Sequence, residues 1–539
     1  PTSVRPHEKR RAAGGAGNNQ RTTLSATAME RSAAGRATLL VRSNSLANLG
    51  STGNGSTGLV LGGASGGGFS LNDLRGTTPL AGASGAGSKS LRMIPWAVGA
   101  GGTTLAGNHP SAFTSSHGDT WLTYDAGADG AIGGGDDRGF RMLDPASEYE
   151  PSLVAGANVR LAAGNASAGH VGTAVNSLIL HNQRTDSNQV AFQGAGTLTI
   201  SSGALMNSGH VAGGAVTARS TSIGGFDTID FGAGDAVVHV TAATLDTSSP
   251  SGLQLTPGTL TIGSPISAGG ALVKSGPGSL VLTQPASLGE PAVAVNAGTL
   301  VLATAGALPQ ASVVELYEAA TLDLRGLDHT LASVTGGGMI RNSLSTPVTL
   351  TLTGAGEQSL MPTIVDGSGP VSLRKTGAGT WTLDSSSTFS GPLQIDGGVA
   401  QLAGDNRLAA TVPVVLGNVA SAALDLNGFK QTIGSLSGGG AAGGNVLLGD
   451  GELTVNQSSN TTFGGVIGGA AGALIKSGTG TLTLAGNNTF GGGTRLEGGT
   501  LAIAHPSALG TGPLVINAVA TVLSNLTAAT GPLVDVQLT

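Results

Sequence analysis

The chain has 539 residues, of which 92 are glycine and none is cysteine, and its net charge is −6. The lack of cysteine excludes disulfides, thiol catalysis and thiolate metal sites. Because 39% of the residues are apolar and only 10% are charged, the sequence does not have the composition of a disordered chain, and we expect it to fold. We find no apolar run long enough for a transmembrane helix.

Residues 1–50 form a basic segment, with eight lysines and arginines against two glutamates. Such a segment can bind nucleic acid or heparin-like polymers, but this one contains no aromatic residue that could stack on a base. We therefore predict a partly disordered N-terminal segment and no nucleic-acid partner. The start of the chain does not resemble a signal peptide, so we expect any export signal to have been removed or to lie outside this sequence.

The next two segments are predicted to be the first coils of a solenoid, residues 51–95, and an excursion or cap, residues 96–150. The second segment is rich in aromatic residues, and no strand pattern is readable in it between residues 99 and 118. Long excursions from a regular fold are often functional, and Trp, Tyr and Arg dominate binding hot spots. The candidate partner-binding residues are Trp96, Trp121, Tyr124, Arg138, Arg141 and Tyr149. Alternatively, these aromatic residues cover the open end of the solenoid, and both interpretations stay open.

An acidic, glycine-rich stretch within this segment is a weak candidate for a calcium site. Its carboxylates belong to Asp125, Asp129, Asp136 and Asp137. Calcium takes about six to eight oxygen ligands, and an EF-hand loop also requires glutamate at its twelfth position. Asp136 stands there instead, so a solvated acidic turn is the preferred interpretation. We predict no metal and no cofactor.

From residue 151 to residue 539 the sequence is predicted to be one regular β-helix with an internal repeat. The segments ALVKSGPGSLVL, SLRKTGAGTWTL and ALIKSGTGTLTL place Lys274, Lys375 and Lys476 at intervals of 101 residues. In TLTL, Leu482 and Leu484 alternate with threonines, which is the period of a half-buried strand. Clusters of Gly, Asn, Ser and Pro between such strands indicate turns.

These patterns predict an all-β fold, a right-handed, single-stranded parallel β-helix, or β-solenoid. A sandwich of this length would need several domains, and a propeller would show an aromatic signature about every 40–50 residues. Coils of roughly 20–25 residues would give four or five coils per repeat and about 20 coils in the chain. Trp381 occupies the position of Leu280 and Leu482 in the repeat, so we predict that it lies in the core.

The segment GALIKSGTGTLTLAGNNTFGGGTRLEGGTLAI, residues 472–503, resembles the autotransporter-associated β-strand repeat. That repeat marks passenger domains of Gram-negative type V secreted proteins. Residues 369–402 match it less completely, and residues 270–302 match it in part. The resemblance implies display at the bacterial cell surface and outer membrane, or release as a secreted protein. It also implies association with a C-terminal outer-membrane barrel of the same protein before release, although no barrel-like segment is present in this sequence.

Members of this family include adhesins, toxins, proteases and complement-evasion factors, so the resemblance implies a role in virulence. The general character of the chain is also similar to a virulence passenger that captures a host plasma serpin, the inhibitor of complement component one. We predict a monomer that binds a host plasma or extracellular protein non-covalently, with a complement-regulating serpin as one candidate partner. An adhesin that binds host cells or matrix is the alternative.

A passenger enzyme, such as a protease or esterase, is the second alternative. A serine protease needs Asp, His and Ser in separate motifs. His117 in SHGDT is the nearest match, but no serine motif follows it. The serines of GASGGG and GASGAG precede no helix, which the nucleophile elbow requires. His239 in AVVHVT is interpreted as a plain strand residue, and we predict no catalytic residue and no enzymatic activity.

Overall fold

A computed structural model describes only part of the chain in full. The side chains that it describes are those of residues 88–90, 147–162, 169–182, 189–208, 220–241 and 258–524, together with Met93, Ile94, Trp121, Leu143 and Gln537. The backbone of further strands is also described. All regular secondary structure in these residues is β, and no helix there is long and apolar enough to cross a membrane. The predicted all-β fold is confirmed.

The strands are short because apolar and small polar residues alternate only over brief runs between turn residues. In the first part of the chain the strands are β1 (Thr22–Ala26), β2 (Leu39–Ser43), β3 (Thr57–Leu61), β4 (Ile94–Gly101), β5 (Thr103–Thr104), β6 (Phe113–Thr114), β7 (Asp119–Asp125), β8 (Gly139–Met142), β9 (Asn158–Ala162), β10 (His170–Val171), β11 (Ala174–Asn182), β12 (Val190–Ala195), β13 (Thr197–Gly209), β14 (Ser220–Gly224), β15 (Thr228–Asp230), β16 (Ala236–Val240), β17 (Ala242–Asp246) and β18 (Gln254–Pro257). They continue with β19 (Thr259–Gly263), β20 (Ile266–Ala268), β21 (Leu272–Ser275), β22 (Ser279–Leu282), β23 (Ala286–Leu288), β24 (Ala292–Val295), β25 (Gly298–Leu302), β26 (Val313–Leu316), β27 (Ala320–Asp323), β28 (His329–Leu331), β29 (Ser333–Thr335), β30 (Met339–Asn342), β31 (Val348–Leu352), β32 (Gln358–Leu360), β33 (Thr363–Gly367), β34 (Val371–Lys375) and β35 (Thr380–Leu383). The last strands are β36 (Leu393–Ile395), β37 (Val399–Leu402), β38 (Pro413–Leu416), β39 (Ala423–Asp425), β40 (Lys430–Ile433), β41 (Ser435–Gly438), β42 (Asn445–Leu447), β43 (Glu452–Asn456), β44 (Thr461–Phe463), β45 (Ile467–Gly468), β46 (Ala473–Ser477), β47 (Thr481–Leu484), β48 (Thr494–Leu496), β49 (Gly499–Ile503), β50 (Leu514–Ile516), β51 (Ala520–Ser524) and β52 (Val536–Leu538).

Five parallel sheets build the solenoid. Two are long and occupy its first half, with the orders β10-β12-β14-β19-β22-β25-β27-β30-β33 and β23-β20-β15-β13-β16-β21-β24-β26-β29, the second also carrying β11 and β9. Three occupy its second half, with the orders β28-β31-β34-β36-β38-β41-β44-β47-β49-β51, β32-β35-β37-β39-β42-β45 and β40-β43-β46-β48-β50-β52. Four smaller sheets lie outside this stack: β2-β4-β7-β8, β1-β3, β5-β6 and the antiparallel β17-β18 hairpin.

The five sheets form three faces. The first face continues from β33 to β40 through two coils that have no assigned strand on this face. Thr388 N donates to Ile364 O of β33 at 2.9 Å, and Asn406 N donates to Lys430 O of β40 at 2.9 Å. The second face continues from β29 to β32. The third face holds β28 and β31, and β13 is long enough to turn the corner between two faces, pairing with β15 at its start and with β16 further on. The described part is therefore a parallel β-helix of about 16 turns, and at ~4.8 Å per turn it is roughly 75 Å long.

One ladder on the first face shows how a coil is built. Leu260, Leu280, Leu300 and Leu322 pair in register and are all buried. Successive members are 20, 20 and 22 residues apart, in agreement with the predicted coil length. Each coil adds one inward-facing aliphatic residue per strand position to a single continuous core, so burial along the axis stabilises neighbouring coils together.

The 101-residue repeat does not contain a whole number of turns. Lys274 lies in β21. Four turns later on the same face is β32, and the chain then passes through the next face to β34 on the third face, which carries Lys375. The same count leads from β34 through β44 to β46, which carries Lys476. The equivalent lysines therefore lie on three different faces.

Candidate functional surface

The three repeated lysines lie inside the solenoid, and each is fully buried. Lys274 Nζ donates to the carbonyl oxygens of Ser275 at 2.9 Å, Gly276 at 2.7 Å and Ala297 at 2.9 Å. Its own coil provides the first two oxygens and the next coil provides the third, so the ammonium joins two coils at a corner. Charge-assisted hydrogen bonds of this kind satisfy corner carbonyls that would otherwise be buried without a partner.

The third copy repeats this arrangement, and the middle copy keeps one of its hydrogen bonds. Lys476 Nζ donates to Ser477 O at 2.7 Å, Gly478 O at 3.0 Å and, one coil further, Gly498 O at 3.3 Å. Lys375 Nζ donates to the carbonyl oxygen of Gly377. Burial lowers the pKa of Lys274 to about 7 and that of Lys375 to about 8, and it also lowers the pKa of Lys476. The sequence showed the periodicity of these lysines but not their burial, and we assign them a structural role.

Two of the predicted partner-binding residues are buried. Trp121 and Tyr149 are buried together with Met93, Leu143, Ile179, Ala204 and Met206. Leu178, Leu180 and Leu205 belong to the main core, and side chains alternate along a strand, so this second cluster lies on the outer face of β11 and β13. The aromatic segment thus covers one side of the first coils.

The same segment also covers the edge of the first coil. Glu150 forms a parallel bridge to Val159 in β9, with Arg160 N donating to Glu150 O at 2.8 Å. Lys89 O accepts a hydrogen bond from Asn158 N at 2.6 Å, and Lys89 Nζ lies 3.2 Å from Glu150 Oε1. The exposed edge of β9 is thereby paired, which removes a site for unwanted strand addition.

The other predicted site residues are not described in the same way. Trp96, Tyr124 and Arg141 lie in β4, β7 and β8, and their side chains, like Arg138 as a whole, lie outside the described residues. The binding role of all six residues stays a prediction; for Trp121 and Tyr149 it would require the buried cluster to open.

The candidate calcium site lies outside the described side chains. Asp125 ends β7, and Asp129, Asp136 and Asp137 fall outside the described residues. Within the residues that the structure does describe, there is no cluster of three or more metal-ligating side chains. The calcium site therefore stays a prediction.

Two buried serine–histidine pairs were not predicted from the sequence. His181 Nδ1 lies 2.9 Å from Ser208 Oγ, and His239 Nδ1 lies 2.9 Å from Ser275 Oγ. These distances suit a nucleophile and its base, but catalysis also requires that a substrate reach the hydroxyl. All four side chains are at most 2% exposed, so the pairs act as hydrogen-bonded packing within the second face.

Charged side chains form ion pairs along the solenoid: between neighbouring coils for Arg374 and Arg341, and within one coil and across two coils for Arg495. Arg374 Nε lies 2.6 Å from Asp396 Oδ2, and Arg341 Nε lies 3.3 Å from Asp323 Oδ2. Arg495 contacts both Glu452 and Glu497, at 3.1 and 3.3 Å. The Asp323 side chain is only 3% exposed, whereas both members of the other pairs are partly exposed. Exposed pairs contribute little stability, but they present ordered charge along the sides of the solenoid.

The stacked coils with buried repeat lysines define a β-solenoid, and parts of it match a known family of repeats. Residues 272–302, 373–399 and 474–503 match the passenger-associated-transport-repeat, and each match includes one of the buried lysines. The match thus falls on the part of the sequence that forms the lysine corners.

A named relative supports the same class. Over 136 residues the chain is 40% identical to the adhesin BmaC autotransporter of Brucella suis biovar 1 (strain 1330). The alignment covers 25% of this chain and only 4% of that relative. No solved structure gives a significant match. Together, the repeat and the relative support an autotransporter passenger domain with a surface-exposed or secreted, outer-membrane-associated location.

Proposed function

We propose that this chain is an adhesin-type passenger rod that binds a host protein without covalent chemistry. The main observation in support is that, in the described residues, the repeat lysines and both serine–histidine pairs are buried inside the solenoid. The outer faces instead present polar side chains and ion pairs on a stiff parallel stack. The name of the Brucella relative as an adhesin adds support, although the chain spans a small part of that protein.

An adherence assay tests this proposal. Beads coated with the full chain are expected to attach to cultured epithelial cells or to immobilised matrix proteins, whereas beads coated with the urea-unfolded chain are not. Soluble chain should compete for attachment, because a specific surface saturates. Attachment no greater than that of the unfolded control on every cell type and matrix protein tried would contradict the proposal.

The narrower form of the proposal names a complement-regulating plasma serpin as the partner, as suggested by the resemblance to a Bordetella virulence passenger that captures one. Incubation of the immobilised chain with human plasma tests this choice. Co-purification of a serpin in a salt-stable complex would support it. Recovery of matrix proteins alone would favour adhesion.

The non-enzymatic part of the proposal is tested separately with fluorogenic protease and esterase substrates. We expect no turnover above that of the unfolded chain. Turnover that disappears in Ser208→Ala or Ser275→Ala, with the fold intact by circular dichroism, would show that one of the buried pairs becomes accessible and is catalytic.

A further inference from the structure

Three large apolar side chains are exposed at one corner of the rod, on successive coils. Tyr317 follows β26, Met339 begins β30 and Met361 precedes β33, and they are 38%, 39% and 46% exposed. We call these three side chains the Tyr–Met ridge. Contiguous exposed apolar groups mark interaction sites more often than isolated ones do.

The strand register places Tyr317 and Met361 at the same corner position, two coils apart, and it places Met339 two residues further along the coil between them. Met339 pairs with Thr363 of the next coil, so Met361 lies two positions before that pair. Gly338 N donates to Leu316 O at 3.1 Å, and Thr363 N donates to Gly338 O at 2.9 Å. The corner formed by residues 336–338 is therefore sandwiched between the corner of Tyr317 and that of Met361, about 4.8 Å from each.

Gly337 leaves a notch in this ridge. It is exposed and has no side chain to fill the space between Tyr317 below and Met361 above. A Cβ atom placed on Gly337 would lie 3.4 Å from Glu318 Cγ, so the Glu318 side chain borders the notch. The exposed Glu315 lies on the same coil, two residues before Tyr317. The notch is thus bordered by the Glu318 side chain, with Tyr317 and Met361 on the coils to either side.

The surrounding charge is negative. The exposed Glu315 and Glu318 lie on the coil of Tyr317, and the exposed Asp384 lies one coil beyond Met361, since Asp384 N donates to Leu360 O at 3.4 Å. Arg341, which shares β30 with Met339, already pairs with Asp323. Lysine and arginine side chains have an apolar stem and a cationic head, and cations also interact favourably with aromatic faces. We infer that the Tyr–Met ridge binds a segment of a host protein that carries arginine or lysine, an inference that rests on the proposed function. The apolar stem of the bound side chain would lie in the notch, and its cationic head would lie beside Glu318 and Glu315.

The repeat offers an internal comparison. Gly438 stacks on Leu416 as Gly336 stacks on Leu316, so the same corner recurs in the next copy of the repeat. There, however, Gly417 and Asn418 stand where Tyr317 and Glu318 stand. This second corner is longer, with six residues between β38 and β39 against three between β26 and β27, and it carries neither an aromatic ring nor a carboxylate at the positions of Tyr317 and Glu318.

Methionine methyl resonances give a direct test, because the chain has only six methionines. The full chain is labelled with ¹³C-methyl methionine, and Met339 and Met361 are assigned through Met339→Leu and Met361→Leu. Titration with an acetylated alternating alanine–arginine octapeptide should shift these two resonances and leave that of the buried Met206 unchanged. The matching alanine–glutamate peptide should shift none. Unperturbed Met339 and Met361 at saturating arginine peptide would overturn the inference.

Charge variants separate a site from general attraction to an acidic rod. Glu315→Gln combined with Glu318→Gln should weaken arginine-peptide binding about tenfold or more, because removing paired charges at a contact lowers affinity. The matched control is Asp227→Asn with Asp450→Asn, two exposed carboxylates several coils from the ridge, and it should retain wild-type affinity. Equal weakening in both double variants would mean nonspecific electrostatic binding and would overturn the site.

The adherence assay then distinguishes this inference from the function on which it rests. Attachment of the wild type but not of Glu315→Gln/Glu318→Gln would support both. Equal attachment of the two proteins would overturn the ridge while the adhesin proposal stands. No attachment by the wild type would contradict the proposed function. The peptide titration would still test whether the Tyr–Met ridge binds arginine side chains.

Discussion

The ammonium nitrogen of Lys375 lies 5.1 Å from the centroid of the Trp381 ring, and neither side chain is more than 1% exposed. In the other two copies of the repeat the position of this ring is taken by Leu280 or Leu482. A desolvated cation–π contact is worth about 2 kcal/mol. The middle copy therefore holds its buried lysine with a ring as well as with a corner carbonyl, and Trp381 lies in the core as predicted.

Trp381→Leu should lower the free energy of unfolding by about 2–4 kcal/mol, because it removes this contact and leaves a cavity beside the lysine. Urea unfolding followed by far-ultraviolet circular dichroism measures the change. Leu280→Met is the control, since a volume-conserving change at the equivalent position should cost less than about 1.5 kcal/mol. Wild-type stability in Trp381→Leu would show that the ring contributes nothing that leucine cannot.

Lys274 should make stability depend on pH in alkaline solution. Its pKa is about 7 in the folded chain because of burial, against an ordinary value of 10.5, so between these pH values the unfolded chain binds more protons. The free energy of unfolding should therefore rise as pH increases from about 7 to about 10, by up to about 1.4 kcal/mol per pH unit for one proton. Urea midpoints at several pH values measure this slope.

The control for that slope is Lys274→Met, which has no ammonium to titrate. It should reduce the rise by the contribution of one proton, while Lys375 and Lys476 still contribute theirs. Near pH 7 it should destabilise the chain by about 1–3 kcal/mol, because corner carbonyls lose their partner. An unchanged slope in Lys274→Met would assign the pH dependence to other groups.

Gly398→Ala should be strongly destabilising for two reasons. Gly398 has φ of +66°, and a Cβ atom there would collide with Lys375 Nζ and with the carbonyl oxygens of Gly377 and Gly379. Gly428 is the matched control, since it has φ of +82° but no atom within 4 Å of its Cβ position. Gly428→Ala should therefore show backbone strain alone, about 1–2 kcal/mol, and Gly398→Ala about 1–3 kcal/mol more. Equal losses of stability in the two variants would mean that the corner yields to the methyl group.

Trp121→Ala tests whether the aromatic segment acts in packing or in binding. It should loosen the cluster on the outer face of β11 and β13, at a cost of about 3–5 kcal/mol to that packing, while the later coils stay folded. Limited proteolysis should then cut the N-terminal region faster and leave residues 258–524 intact. Trp121→Phe should retain most of the protection.

Adherence decides between the two roles. If the segment only packs, Trp121→Ala should attach as the wild type does. Lost attachment in the triple variant Trp121→Ala, Tyr124→Ala and Arg138→Ala, with protease resistance retained, would support the predicted binding role instead.

Several features of the fold followed from the sequence because they depend on near neighbours in the chain. Alternation in segments such as TLTL predicted inward-facing Leu482 and Leu484, and both are buried. The parallel β-helix and the coil length were also predicted correctly. The end of β4 and strands β5 and β6 were missed between residues 99 and 118, because glycine and threonine runs carry no clear alternation. Pairing with β2 and β7 forms β4, and β5 and β6 pair with each other.

The candidate sites were harder to predict, because they depend on contacts between coils. A periodic lysine looks like a solvated side chain until the carbonyl oxygens of the next coil, such as Ala297 O, are placed around its ammonium. His181 and Ser208 are 27 residues apart, and no spacing rule joins them. Gly337 could not be identified as a notch before Tyr317 and Met361 were stacked on either side of it.

By itself, the sequence determined that this protein is a solenoid with a thin aliphatic core, glycine-rich corners and a repeat of 101 residues. Only the tertiary structure decided that the repeat spans four turns and two further faces, so that Lys274, Lys375 and Lys476 lie on different sides of the rod. The physical reason is that alternation along a strand is local, whereas stacking depends on the summed length of every corner loop between two coils. One residue more or less in any corner loop changes which side chains meet. The total length of these loops can be related to the stacking only when the coils are in place.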